Sequence, residues 1–384
     1  MKKVAYIGNF GFPDKNASGK RVLGNCKLLQ SIGYKVICIG PGTQNPEYYE
    51  GVKLYSIHTG NEIERVIRNN LRAVENIINN EQVGIVFIYG ALFTQKENIQ
   101  LIKWCQKRNI RAYYDQVDWL DLNWHNPLRG MIRARNYFLL NKKVIPDSDG
   151  VVCISSYLAD IHSKAGRRTV IIPPLAIEKS TGFSETFHTE QCIHFVYAGT
   201  TSDVNRPISQ WKDRIDIMFE KLKECSKDPC LQPFQLDIYG MTEEQYIKMF
   251  PLGEQDAGRE VIKELGHRVS FHGTVPNQEV MEEIRQADFT ILIRDKKRAT
   301  MSGFPTKVSE SITCGTPVLC NDTSDIKRYV VDGETGFVMD DVRELFTRTL
   351  KAQRNEIIHM KNACKNNPFY YSNFSAAMTE FLKG

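Results

Sequence analysis

The chain has 384 residues, of which 42% are hydrophobic and 25% charged, with ten cysteines and a formal net charge of +5. At roughly 150 residues per domain that length predicts two domains or three, and the composition is that of an ordinary soluble globular protein. No apolar run approaches the roughly 18 residues of a membrane span, no signal-peptide apolar region precedes the first strand, and the cysteines lack CxxC spacing, so a cytoplasmic chain with reduced, buried thiols is expected rather than a disulfide framework or zinc site.

The charge is uneven. Residues 1–180 hold 25 Lys and Arg against 15 Asp and Glu, and the remainder 25 against 30. A basic first half points to an anionic partner on that half: nucleic acid, a membrane surface or a lipid-linked phosphate. Residues 4–10 read as a strand, and a loop over 11–21 leads to a helix carrying Leu23, Leu28 and Leu29. Residues 33–40 form the next strand, so the chain opens as a βαβ unit. The G-x-G-x-x-G dinucleotide fingerprint does not follow the first strand, which argues against a dehydrogenase.

Helical spacing runs over 62–79, a strand over 83–89, a helix over 96–107 and a strand over 111–115, which ends in Asp115-Gln-Val-Asp118-Trp119. Between Asp121 and Asp147 there is no acidic residue, whereas Arg129, Arg133, Arg135, Lys142 and Lys143 are basic and interleaved with Leu128, Met131, Ile132, Phe138 and Leu139. A basic amphipathic helix of that kind can lie on an anionic bilayer, so segment 129–143 is expected to meet a membrane surface. Asp147-Ser-Asp149 is read as turn chemistry before the strand 150–154. A helix begins at 155–158, a strand at 170–174 closes the first domain, and polar residues 178–191 form the linker.

The second half repeats the alternation, with strands over 193–199, 234–240 and 269–276, and helices from Trp211-Lys212-Asp213 to Glu224 and over 277–287. Residues 289–293 form a strand rich in β-branched and aromatic residues, as a buried parallel strand is. A charged loop over 294–298 follows. Pro305 then stands where a first helical residue would, since its missing N–H costs nothing there. Val308 and Ile312 give that helix its apolar face, Gly315 ends it, and 317–320 opens the next strand. The loop thus delivers Ser302, Gly303, Phe304 and the amides of Thr306 and Lys307 to a helix N-terminus, which favours an anion through its unpaired N–H groups and dipole.

This stretch resembles the signature of family 4 glycosyltransferases, retaining enzymes of the GT-B fold. Phe304, Glu310 and Gly315-Thr-Pro-Val318 match it, Gly303-Phe304-Pro305, Lys307 and Glu310 match a Gly-Phe-Pro-x-Lys-x-x-Glu branch, and Ser302 departs from the first acidic position. The resemblance implies that Glu310 bonds the ribose hydroxyls and that loop residues Ser302 to Thr306 hold the sugar and diphosphate, with Arg294 opening that loop. It implies a glycine loop at Ala17-Ser18-Gly19 and a basic pair after the strand ending at Gly199. Lys212 matches the second member of that pair; Thr200 or Thr201 stands at the first, so Arg206 is a substitute. Thr274 and Val275, after Gly273, are candidates to read the nucleobase. The family's catalytic His is missing after residue 115; some relatives carry Asp-Val-x-Glu-Trp there, so either Asp115 or Asp118 could orient an acceptor hydroxyl.

The resemblance therefore implies an α/β protein of GT-B fold, two Rossmann-like domains facing a cleft. Residues 1–176 are expected to bind the acceptor and 177–365 the nucleotide sugar, with 366–384 packing back on the first domain. The expected activity is metal-independent, retaining transfer from a UDP- or GDP-sugar, with Lys212 and Lys307 neutralising the leaving diphosphate. A lipid-linked saccharide of surface polysaccharide synthesis is the expected acceptor, at the inner face of a membrane. No cofactor and no nucleic acid are expected. A catalytically inactive GT-B subunit, motivated by Ser302 and the missing His, and a sugar-nucleotide 2-epimerase are the alternatives.

Overall fold

A computed structural model describes residues 2–12, 16–41, 47–57, 71–90, 94–119, 127–179, 192–200 and 207–383. The chain divides into two compact units, one comprising Met1–Ile177, Met301–Phe304 and Tyr370–Gly384, the other Glu178–Thr300 and Pro305–Phe369.

The first unit alternates strand and helix: β1 (Lys3–Gly8), α1 (Ala17–Ser31), β2 (Lys35–Gly40), β3 (Tyr48–Tyr49), β4 (Val52–Ser56), α2 (Leu71–Asn80), β5 (Val83–Tyr89), α3 (Gln95–Gln106), β6 (Arg111–Gln116), α4 (Pro127–Leu139), β7 (Gly150–Cys153), α5 (Ser156–Lys164) and β8 (Thr169–Ile171). Its eight strands lie in the order β3-β4-β2-β1-β5-β6-β7-β8. Among the described residues, β3 against β4 is the one antiparallel pairing of this sheet. The inner strands are near-continuous apolar runs because helices cover both faces of a parallel sheet. Tyr6 stacks on Phe87 at 5.5 Å, and Phe87 on Tyr113 at 5.3 Å. The final helix, Ser375–Lys383, adds Met378, Phe381 and Leu382 to this core, with Phe381 4.9 Å from Tyr113. Residues 62–70 of the expected helix lie outside the described residues, as does most of the expected linker.

The second unit runs β9 (Ile193–Ala198), α6 (Ile215–Ser226), β10 (Phe234–Tyr239), α7 (Glu243–Met249), α8 (Gln255–Leu265), β11 (Val269–Gly273), α9 (Asn277–Gln286), β12 (Phe289–Leu292), α10 (Thr306–Thr313), β13 (Val318–Cys320), β14 (Gly336–Val338), α11 (Val342–Thr349) and α12 (Arg354–Ala363). The strand order is β11-β10-β9-β12-β13-β14, and the pairings are parallel. Phe195, Phe289 and Phe337 lie in one core with Trp211, Phe219 and Phe346. The chain leaves β9 towards β10 and later returns to place β12 on the other side of β9. That reversal is a topological switch point, and open α/β sheets bind ligands at the carboxyl ends of the strands flanking it.

Where the sequence reading has only a charged loop over 294–298, the structure adds a short helix, Arg298–Ser302. Pro305 is the N-cap of α10 rather than its first helical residue, with φ −75° and ψ 119°. All ten cysteines are free, eight of them buried.

Candidate active site

At the switch point of the second unit, the ends of β9 and β12 bring five side chains together. β9 is followed directly by Gly199, and β12 by Ile293 and Arg294. The Arg294 backbone is clamped by Asn321, past the end of β13: its N–H donates to Asn321 Oδ1 at 2.9 Å, and Asn321 Nδ2 donates to its carbonyl at 2.6 Å. The guanidinium, only 6% exposed, then donates through Nε to Asp213 Oδ1 at 2.7 Å. Lys307, in the first turn of α10, donates to the other Asp213 oxygen, Oδ2, and to Tyr197 Oη at 2.9 Å. Tyr197 Oη itself donates to Asp213 Oδ2 at 2.9 Å, and the Lys307 ammonium sits 4.2 Å from the centre of the Tyr197 ring. Two cations and a phenol thus share one carboxylate.

Their charges follow from that arrangement. Burial pushes the Asp213 carboxyl up, but Lys307 and Arg294 outweigh it and hold the group well below the usual carboxylate range. Burial pushes the Lys307 ammonium down from its ordinary value, and Asp213 works against that fall. Burial also lifts the Tyr197 hydroxyl well above its ordinary value, so it stays a neutral donor.

Gly199 lies close beside this cluster: a Cβ there would come 2.2 Å from Lys307 Nζ and 2.6 Å from Tyr197 Oη, so a side chain would displace the ammonium from its place. Gly240 is likewise fixed, at φ +92°, and its Cβ would strike the Gly199 carbonyl oxygen at 2.5 Å. Glu310 lies one turn on from Lys307, on the same helix face. The two line a small cavity with Ala198, Thr290, Leu292 and Val318. The N-cap of α10 makes no side-chain cap hydrogen bond, as a proline cannot. That leaves the helix start suited to an external acceptor. Among the described residues, no group of three or more His, Cys, Asp or Glu is arranged to hold a metal ion.

Several expected site residues stand elsewhere. Asp115 does not face a ligand: it is 1% exposed, and Arg21 Nη2 donates to its Oδ1 at 2.6 Å, while Tyr6 Oη and Asn25 Nδ2 donate to its Oδ2. Its oxygens are taken up within the first core. Asp118, three residues on, is exposed. Gly19 is not in a free loop, because α1 already begins at Ala17 and the Gly19 N–H is taken by the Asn16 cap at 2.9 Å. Lys212 is exposed and precedes α6, which starts only at Ile215, whereas Asp213 turns inward. Ser302 is fully enclosed, its Oγ accepting the Trp119 N–H at 3.1 Å and its carbonyl the Ser155 hydroxyl at 2.5 Å. Ser302, Gly303 and Phe304, all buried, belong to the first unit, whereas Pro305, Thr306, Lys307 and Glu310 belong to the second. Thr200 and Thr274 are exposed, and Val275 packs half-buried near Tyr239. Arg206 lies outside the described residues. Asp149 accepts the Ala112 N–H at 2.7 Å, which ties it to β6 as a turn residue.

The residues that sequence reasoning missed are Tyr197, Asp213 and Asn321. Tyr197 was open to discovery, since strand alternation puts it on the same face as Gly199. Asp213 and Asn321 lie in irregular segments, where no period marks an inward side chain.

Residues 204–355 match a family model described as glycosyl transferases group 1. The fold as a whole is similar to sucrose-phosphate synthase from Thermosynechococcus elongatus, at TM-score 0.69 and 13% identity over 99% of this chain and 98% of that one. It is similar to TarM at TM-score 0.68 and 10% identity, over 100% and 99%. Anabaena HepE, determined in complex with UDP and glucose, matches at TM-score 0.61 and 15% identity, over 100% and 99%. No curated protein matches the chain. The architecture is the GT-B fold seen in glycosyltransferases, and the stretch that matches the group 1 family model falls within the second unit.

Proposed function

We propose that the chain is a family 4 glycosyltransferase that moves a sugar from a nucleoside-diphosphate sugar to a hydroxyl acceptor with retention at the anomeric carbon. The observation that carries this reading is that Lys307 and Glu310 line one small cavity at the switch point of the second sheet, with Arg294 held beside Lys307 through their shared Asp213. The matches to the group 1 family and to a fold seen elsewhere with UDP and glucose support it.

In such a reaction the bond from the anomeric carbon to the diphosphate breaks through an oxocarbenium-like transition state. Charge builds on the leaving diphosphate, and preorganised donors aimed at that charge lower the barrier most. Lys307, Arg294 and the amides at the start of α10 fill that role. The leaving phosphate oxygen takes the acceptor's proton as the new bond forms on the same face, so no separate base is needed. Because side chains and a helix N-terminus neutralise the diphosphate, the reaction is expected to need no divalent metal. UDP and GDP donors are both compatible with this arrangement.

The acceptor reading rests on α4. Met131, Ile132 and Phe138 are 63%, 55% and 59% exposed, and Arg133, Arg135, Lys142 and Lys143 around them are exposed too. That surface fits an anionic bilayer, and with it a lipid-linked saccharide acceptor of surface polysaccharide synthesis at the cytoplasmic face.

Glu310 gives the direct test of the donor site. A carboxylate accepting two ribose hydroxyls makes charge-assisted bonds, so Glu310→Ala should weaken nucleoside-diphosphate binding by roughly 2–3 kcal/mol. Calorimetry on the folded variant measures this; unchanged affinity would remove Glu310, and the registration of the motif, from the donor site.

A further inference from the structure

We propose that Asp213 is a positioning residue for donor binding: it keeps Lys307 charged and locked against Gly199, where the leaving diphosphate is to be neutralised. The inference rests on the donor-site reading above, but assigns a role to a residue that no sequence signal marks.

The groups facing the Lys307 ammonium come from four segments. Tyr197 is on β9, Asp213 precedes α6, Arg294 follows β12, and Glu310 is on α10 itself. Arg294 repels the ammonium, and Tyr197 is neutral. Glu310 adds a weaker attraction than Asp213, which bonds the ammonium directly. The Lys307 side chain is 23% exposed and that of Asp213 only 13%, so water screens their attraction little. Removing Asp213 would leave two cations side by side in a partly dry pocket, and the lysine, unlike the arginine, can relieve that by losing its proton.

Geometry adds a second effect. Asp213 takes Arg294 on one oxygen and Lys307 on the other, so a single carboxylate sets the spacing of both cations. Tyr197 closes a triangle with them at 2.9 Å on each of its two hydrogen bonds. An arriving diphosphate meets cations already in place, and the net local charge of this trio stays positive.

The experiment is calorimetric binding of UDP and GDP across about pH 6 to about pH 10, a window set by the ordinary lysine pKa of about 10.4. The terminal phosphate and the base of either nucleotide also titrate at the two ends of this window, alike for every variant. Each profile is therefore read as its difference from that shared background; beyond it, the wild type should lose affinity only on the alkaline side. In Asp213→Asn the midpoint of that loss should fall by about one to three units, the size of shift a neighbouring opposite charge produces. Asp213→Glu keeps the anion and should keep the wild-type midpoint. Adding Lys307→Arg to Asp213→Asn should leave only the alkaline loss that the nucleobase itself brings, because a guanidinium stays protonated throughout.

A midpoint unmoved in Asp213→Asn, or an alkaline loss with arginine at 307 as large as that of the lysine protein, overturns the inference. If Asp213→Asn does not fold, Asp213→Ser, which likewise removes the anion, decides: its midpoint should fall in the same direction, and an unmoved midpoint contradicts the account. A wild type that binds neither UDP nor GDP overturns the donor-site reading itself, and is distinguishable because no variant is then needed.

Discussion

Arg21 and Asp115 form a salt bridge whose side chains are 2% and 0% exposed, 94 positions apart in the chain. Nothing local in the sequence announces that pairing, and Asp115 at the end of a strand reads equally well as a ligand-facing carboxylate. The structure decides by supplying Asp115 with Arg21, Tyr6 and Asn25, and by spending the rest of Arg21 on the Ile172 carbonyl at 2.9 Å. Removing one partner of a buried pair leaves the other uncompensated, at a cost of roughly 3–5 kcal/mol. Arg21→Ala is therefore expected to lower unfolding free energy by about that amount while leaving nucleoside-diphosphate affinity intact in the folded fraction. Urea unfolding measures the first and calorimetry the second; a fully stable variant that fails to bind would restore Asp115 to the active site. Lys212 and Asp213 make the same point in reverse. They are adjacent, one exposed and one enclosed, and an irregular segment gives no period from which to tell which turns inward.

At the scale of elements, far more was legible. Strands such as β9 and β12, predicted over 193–199 and 289–293, form at Ile193–Ala198 and Phe289–Leu292, since a doubly covered strand must be apolar along its length. The helix over 277–287 forms at Asn277–Gln286. The helix Arg298–Ser302 was not visible, because Arg-Ala-Thr-Met-Ser carries no apolar period. The basic segment forms the helix α4, and among the described residues three of the six exposed large hydrophobic side chains belong to it. Each basic residue near an anionic surface contributes about 1 kcal/mol, and salt screens that attraction. The chain should therefore float with anionic vesicles at low salt and be released at high salt. Met131→Ser with Phe138→Ser, or Arg133→Gln with Arg135→Gln, should reduce flotation without altering donor affinity. A wild type that stays unbound at low salt would leave this face without a membrane role and the lipid-linked acceptor without support.

At the scale of the molecule, the strand–helix alternation contains the architecture: each half repeats it, and each half folds as its own parallel sheet with covering helices. The return of the final helix to the first unit follows from its apolar residues, Met378, Phe381 and Leu382, which fill that core. What the pattern does not contain is which side chains meet at the switch point, since Tyr197, Asp213, Arg294 and Lys307 come from segments up to 110 positions apart. The central claim is glycosyl transfer with retention and without metal. It is tested most directly by incubating the chain with a panel of UDP- and GDP-sugars and simple alkyl glycoside acceptors in EDTA, following nucleoside-diphosphate release and the anomeric configuration of any product by NMR. The account predicts release coupled to a glycoside that keeps the donor's configuration. A donor returned as an isomerised sugar, a product of inverted configuration, activity that vanishes in EDTA and returns with manganese, or bound nucleotide without turnover would each contradict it.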